Sequence, residues 1–244
     1  MSFLETKALS RRFGGLTAVD TVDFRLEAGE IRAVIGPNGA GKTTLVSMIC
    51  GRLAPSDGTI LFDGTEITHL PPWERVARGI VYTFQITSVF RNLSCFENVA
   101  LAAQRALTLG KAPWHTVDSS ALASSVTDAL ARVHLHERSD TPAANLPYGH
   151  QRLLEVAMSL ALKPKLLVLD EPTQGLSEAE ITDFCSLVRE IAADATILLI
   201  EHNMDVVMEL AERITVMSNG AILAEGTPAE ITANAAVQQA YLGA

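Results

Sequence analysis

The chain has 244 residues, 48% of them hydrophobic but only 5% aromatic, so it suits one large domain, or a domain with a sizeable insertion, packed through aliphatic side chains. A formal net charge of −9 argues against nucleic acid or anionic lipid as the main partner, since either calls for a Lys/Arg surplus. No apolar run approaches the roughly 18 residues of a transmembrane helix, and no charged-then-apolar leader opens the chain, so a cytosolic product is expected. Cys50, Cys95 and Cys185 are scattered without a C-x-x-C pair and read as buried reduced thiols.

In Val22–Glu27 apolar and charged residues alternate, the mark of a strand with one wet face, and Gly14-Gly15 and Ala28-Gly29 bracket it as turns. Phe13 is either a core aromatic or a face for a nucleobase; pattern alone favours the core. Ile31–Ile35 predicts a strand and Thr44–Ile49 a helix. Between them, Gly36-Pro37-Asn38-Gly39-Ala40-Gly41-Lys42-Thr43 fits G-x-x-x-x-G-K-[ST]. Three glycines leave the backbone open to a triphosphate, Lys42 can place an ammonium on the β and γ oxygens, and Thr43 can offer its hydroxyl to Mg²⁺. The phosphates would meet a helix N-terminus, where free N–H groups and partial positive charge coincide. A plain glycine turn is the alternative for the motif taken without its flanking strand and helix.

Pro55–Gly58 predicts a turn, Thr59–Phe62 a short strand, Trp73–Arg78 a helix after Pro71-Pro72, and Gly79–Phe84 a strand ending on Gln85. From about Phe90 to Leu162 helical periodicity takes over, with Leu122, Val126, Ala129, Leu130 and Val133 on one face and Lys111-Ala112-Pro113 interrupting two helical pieces. Leu166–Leu169 is a continuous apolar run, expected of a parallel strand buried on both faces. A helix follows with Ser177 and Glu180 in capping-box spacing and a buried face of Ile181, Phe184, Cys185, Val188 and Ile191. Thr196–Ile200 is another buried strand, residues 214–223 a hairpin around Asn219-Gly220, and Thr227–Glu230 opens a final helix.

Four predicted strands thus end on polar residues of catalytic type: the phosphate loop, Gln85, Asp170-Glu171 and Glu201-His202. In an open parallel sheet, ligands bind outside the carboxyl ends of the strands. If the four share a sheet, these residues meet around one γ-phosphate. Asp170 can then hold Mg²⁺ through water, Glu171 accept a proton from attacking water, Gln85 orient water and sense the metal, and His202 bond a γ-phosphate oxygen. Taken singly, Asp170-Glu171 could merely meet solvent, His202 could be a satisfied loop histidine, and Gln85 signals little.

Together these residues resemble the ATP-binding subunit of ABC transporters over nearly the whole chain. The resemblance implies an α/β fold: a P-loop NTPase (RecA-like) core with an antiparallel β subdomain and an inserted helical subdomain. Residues 1–244 would form one domain, with 1–88 and 163–244 as the core and about 89–162 as the helical part. It implies ATP and Mg²⁺ as ligands. Gly36, Pro37, Asn38, Gly39, Ala40, Gly41, Lys42, Thr43 and Thr44 would surround the phosphates, with Thr43, Gln85 and Asp170 on the metal. Glu171, His202, Gln85 and Lys42 would carry catalysis, and Phe13 would stack on adenine.

Leu146–Arg152 falls at the family's signature, whose helix start, here through Gly149, meets ATP bound by a second copy. Two departures stand out: Pro147, Tyr148 and His150 depart from the Leu-Ser-Gly-Gly-Gln pattern, and Ser177 replaces the usual D-loop aspartate. Either could slow hydrolysis or alter coupling between sites. The Tyr-Gly variant, Phe13–Leu16 and the Ala240–Gly243 tail resemble the importers of branched-chain and related amino acids. That branch implies a homodimer or paralogue pair at the cytoplasmic face of the membrane, docked on two transmembrane permease subunits and fed by a periplasmic or extracellular substrate-binding protein. Val89, Phe90, Arg91 and Leu93 would form the docking groove, against a reading as local core. Alternatives are an ABC ATPase for a lipid or other solute, a nucleotide-gated module with weak hydrolysis, and a soluble phosphotransferase.

Overall fold

The computed structural model of the chain describes residues 3–83, 88–110 and 116–242. A six-stranded sheet contains β3 (Ile31–Ile35), β6 (Ile80–Tyr82), β7 (Leu166–Asp170), β8 (Thr196–Ile200), β9 (Arg213–Ser218) and β10 (Ala221–Gly226), in the order β10-β9-β3-β8-β7-β6. All neighbours are parallel except β9 and β10, which form the hairpin expected at Asn219-Gly220. An antiparallel sheet, β2-β1-β4-β5, is built from β1 (Leu4–Phe13), β2 (Leu16–Leu26), β4 (Asp57–Phe62) and β5 (Thr65–Glu66).

Strand periodicity explains the layers. Leu166 and Val168 of β7, with Leu198 and Ile200 of β8, face the antiparallel sheet and helix α1 (Lys42–Ile49). Leu167, Leu169, Ile197 and Leu199 face the other way, toward α5 (Tyr148–Ala161) and α6 (Glu178–Ala192). Both faces of these strands are covered, so they read as unbroken apolar runs. Helices α3 (Cys95–Thr108) and α4 (Ser119–Arg132) pack with α5, and Val126, Ala129, Leu130 and Val133 are buried as the periodicity predicts, with Leu122 partly so. The three cysteines are buried free thiols, and burial pushes Cys50 up to about 12 and Cys185 up to about 11.

The structure departs from the sequence reading at several points, and the following bear on the site or the packing. Strand β1 lacks a clean alternation and was not foreseen: its pairing with β2 shifts register around Ala8 and Thr21, both at positive φ. Strand β6 starts at Ile80, not Gly79, because Gly79 sits at φ +98, where a Cβ would also lie 3.0 Å from Lys165 Cγ. Phe13 is not core: it is 44% exposed, with the Arg11 guanidinium 4.6 Å from its ring centroid. The last helix is two helices, Pro228–Thr232 and Ala235–Leu242; Asn234 breaks them apart, its side chain accepting from Ala236 N and Val237 N.

Helix α2 (Pro72–Ala77) supplies Arg75, which is buried against the far end of α1. Its guanidinium donates to Met48 O (2.6 Å), Ile49 O (2.7 Å), Thr68 O (2.9 Å) and Leu70 O (3.0 Å). A cation at a helix C-terminus also complements the dipole. Burial lowers its pKa to about 10, still charged at neutral pH. Arg75→Met should leave these carbonyls unsatisfied and cost about 3–5 kcal/mol. In a chain of this size that lowers Tm by roughly 10 °C in thermal unfolding; a shift under about 2 °C would mean water takes over the carbonyls.

Candidate functional site

The phosphate loop is shaped by the strands around it. A Cβ on Gly36 would lie 2.2 Å from Met217 O, and one on Gly41 2.4 Å from Ala18 O. Those two glycines are therefore demanded by the backbones of β9 and β2. Gly220 N, in the β9–β10 turn, donates to Ala40 O at 3.0 Å and holds the loop from the same side. Gly39, at φ +81, faces open space, so conformation alone requires glycine there. Pro37, Asn38, Gly39 and Thr43 are exposed, Thr44 partly, and α1 begins with neither a side-chain cap nor an acidic residue in its first turn. A helix start of that kind offers its N–H groups to an anion.

Lys42 is buried, and its Nζ donates to Gly36 O (2.6 Å) and Pro37 O (3.1 Å). Burial lowers its pKa, while Glu171 and Asp170 pull it back up, so the ammonium and both carboxylates share one field. They do so because β3, β8 and β7 are adjacent and parallel, which brings the loop, Glu201-His202 and Asp170-Glu171 to one sheet edge. Strand β6 lies next in the sheet, but Gln85 falls outside the described residues.

Asp170 is 1% exposed, and its Oδ2 accepts from the Tyr82 hydroxyl at 2.5 Å. Desolvation raises its pKa and Glu171 adds to that, against the Tyr82 hydrogen bond and the Arg52 and Lys42 charges. The Tyr82 hydroxyl is pushed above its ordinary pKa by burial, so it stays a donor at neutral pH. Tyr82 has no motif to announce it; only the β6–β7 pairing reveals it. A raised carboxylate pKa means folding is penalised progressively as pH climbs from the unfolded-state value through the higher folded-state one, and the penalty vanishes in acid. Asp170→Asn should therefore raise Tm by about 2–4 °C, what about 1 kcal/mol is worth here, with a gain that grows from pH 4 to pH 8 in metal-free buffer. An equal gain at both pH values would refute the electrostatic origin.

Glu171 follows with φ +47, a left-handed conformation that costs a non-glycine residue about 1–2 kcal/mol and turns its side chain away from the strand course. Its backbone N–H closes the ladder on Ile200 O at 2.8 Å. Its Oε1 is in a short contact with His202 Nε2; Glu171 is largely buried and His202 half exposed. The histidine thus meets the carboxylate directly, a pairing the sequence reading did not foresee.

Helix α5 starts at Tyr148 after Pro147, and here the two departures from the family pattern meet. A Cβ on Gly149 would lie 2.2 Å from Glu180 Oε1 and 3.3 Å from Leu176. The other oxygen of Glu180 accepts from Ser177 N (2.8 Å) and the Ser177 hydroxyl (2.7 Å). The Tyr148 ring lies over Gly175. The Tyr-Gly pair and the serine cap are therefore one packed unit within a single chain. Arg152 of the same helix, buried, pairs with Glu155 at 3.2 Å and reaches Glu171 O at 3.5 Å, fastening α5 to the carboxylate loop. Phe90 and Arg91 are exposed while Val89 and Leu93 are partly buried; Asn98 holds their loop through Phe90 N, Phe90 O and Leu93 O.

Residues 19–174 match the family described as ABC transporter, about two thirds of the chain. The chain belongs to that family. Its members hydrolyse ATP to power transport, and nucleotide binding and ATPase activity follow for this chain. A second match, to the branched-chain amino acid ATP-binding cassette transporter family, covers residues 221–244. The chain is 40% identical to the high-affinity branched-chain amino acid transport ATP-binding protein LivG of Escherichia coli (98% of this chain, 97% of the relative). It is 38% identical to BraF of Pseudomonas aeruginosa, of the same description, over the same shares. It is 32% identical to the lipopolysaccharide export system ATP-binding protein LptB of Acidithiobacillus ferridurans, over 98% and 96% of the two chains. Among solved structures, a nucleotide-free ATP-binding cassette of an ABC transporter superposes with a TM-score of 0.88 at 29% identity, and an ADP-conformation cassette with 0.87 at 28%, each covering both chains fully. These confirm the α/β cassette with its antiparallel and helical parts. Relatives of this family dimerise and work with membrane permease subunits. Among the described residues no helix is long and apolar enough to cross a membrane.

Proposed function

We propose that this ATPase powers uptake of branched-chain or related amino acids, as one of two ATP-binding subunits on the cytoplasmic face of a permease pair served by a substrate-binding protein. The observation that carries the ATPase site is the shared sheet edge of Lys42, Asp170, Glu171 and His202. What supports the cargo class is the match of residues 221–244 together with the relatives' descriptions.

Lys42 binds the β- and γ-phosphate oxygens, exchanging its contacts with Gly36 O and Pro37 O for them. Thr43, Asp170 and Gln85 would hold Mg²⁺, a hard cation that keeps several waters and takes few protein oxygens, and the chemistry it would supply there is neutralisation of phosphate charge. Glu171 accepts the proton of the attacking water, His202 orients Glu171 and meets the γ-phosphate, and exposed Phe13 stacks on adenine. The start of α5, through Gly149, closes the site of a second copy. Phe90 and Arg91 are the exposed part of the permease-docking groove.

The test is reconstitution of the chain with its permease subunits and binding protein in proteoliposomes. Labelled leucine should accumulate only with Mg-ATP on the cassette side. The resemblance to a lipopolysaccharide export subunit supports the second reading, lipid export. ATP-dependent lipid extraction without leucine uptake would establish that reading and remove the first.

A further inference from the structure

Glu201 ends β8 with 3% exposure, and among the described residues no Lys, Arg or His forms an ion pair with it. Its carboxylate is nevertheless fully engaged. Oε1 accepts from Thr173 N at 3.0 Å and, in a short contact, from the Thr173 hydroxyl. Oε2 accepts from His202 N at 2.8 Å and Asn203 N at 3.2 Å. Each oxygen thus serves a different loop: Oε1 the loop that follows Glu171, Oε2 the loop that begins with His202.

We infer that Glu201 is a positioning residue for hydrolysis: its carboxylate clamps the loop of Glu171 to the loop of His202 and so sets the geometry of that pair. The inference rests on the reading of Glu171 as proton acceptor. Residue chemistry explains why a buried acid stands here. Four donors converge on two oxygens, and only a carboxylate accepts on both sides. A glutamine has the same shape but would aim its amide N–H groups at one pair of donors. A misplacement of about 1 Å in catalytic geometry costs on the order of 10² in rate, so a clamp of this kind acts on kcat rather than on substrate affinity.

The test uses the full-length chain with Mg-ATP, steady-state phosphate release and independent ATP binding, well below the melting temperature. Glu201→Gln should lower kcat about 10–100-fold with KM and ATP affinity within about threefold. Thr173→Val, which removes one donor to the same carboxylate, should lower kcat less, and Thr173→Ser, which keeps the hydroxyl, should restore it. The Glu201→Gln/Thr173→Val double variant should be no slower than Glu201→Gln alone, since both break one clamp. If Glu201→Gln does not fold, the Thr173→Val and Thr173→Ser pair decides by the same kcat split. A kcat within twofold of wild type in Glu201→Gln, beside a Glu171→Gln control that is strongly impaired, overturns the clamp and leaves the ATPase reading standing. A parallel fall in kcat, ATP affinity and Tm marks Glu201 as a strut of the fold and also overturns it. Full hydrolysis by Glu171→Gln removes both.

Discussion

Glu171→Gln is expected to lower hydrolysis by about 10²–10⁴-fold, the usual span for a positioned acid or base. The substitution preserves shape, so Glu171's unusual backbone conformation and its ladder bond to Ile200 O should survive. What is lost is the ability to take a proton and the anionic partner of His202. Nucleotide binding should remain, and an ATP-bound dimer should accumulate because turnover no longer disperses it. Phosphate release over many turnovers, with size-exclusion chromatography in Mg-ATP, measures both. Rapid turnover in both proteins would mean that another group is the base, and turnover near background in both would favour a nucleotide-gated module.

Lys42→Ala should act one step earlier, on binding. A hydrogen bond to a charged group contributes about 1.5–3 kcal/mol, so the ATP dissociation constant should rise about 10–100-fold. The variant also loses the contacts that tie Nζ to the carbonyls of Gly36 and Pro37. Its loop should still fold, because the hydrogen bond from Gly220 N to Ala40 O ties the loop's backbone to the β9–β10 turn independently of the lysine. Titration calorimetry with ATP measures the effect; an unchanged affinity would contradict the assigned contact.

Much of this was legible in the residues. Strands β3, β7 and β8 and the hairpin of β9 and β10 follow from apolar runs bounded by glycine or polar residues. The capping box at Ser177 and Glu180 forms as its spacing predicts. These are local signals, carried by residues a few positions apart. Where the local pattern is weak the sequence says less: Ala8 at positive φ interrupts the alternation of β1, and Asn234 splits the expected terminal helix in two.

The sequence by itself determined the chemistry available to this protein: a glycine loop with its lysine, and carboxylates and a histidine following buried strands. Only the tertiary structure decided which groups touch. The order β3-β8-β7-β6 sets Lys42 among the charges of Asp170 and Glu171, puts Tyr82 of β6 on Asp170 of β7, and lets Glu201 join two loops. The tertiary structure also leaves Phe13 exposed on the antiparallel sheet and packs Gly149 of α5 on Glu180 of α6. Periodicity states which face of a strand is buried but not which strand lies beside it, so contacts between residues 28 to 88 positions apart are invisible until the sheet is assembled.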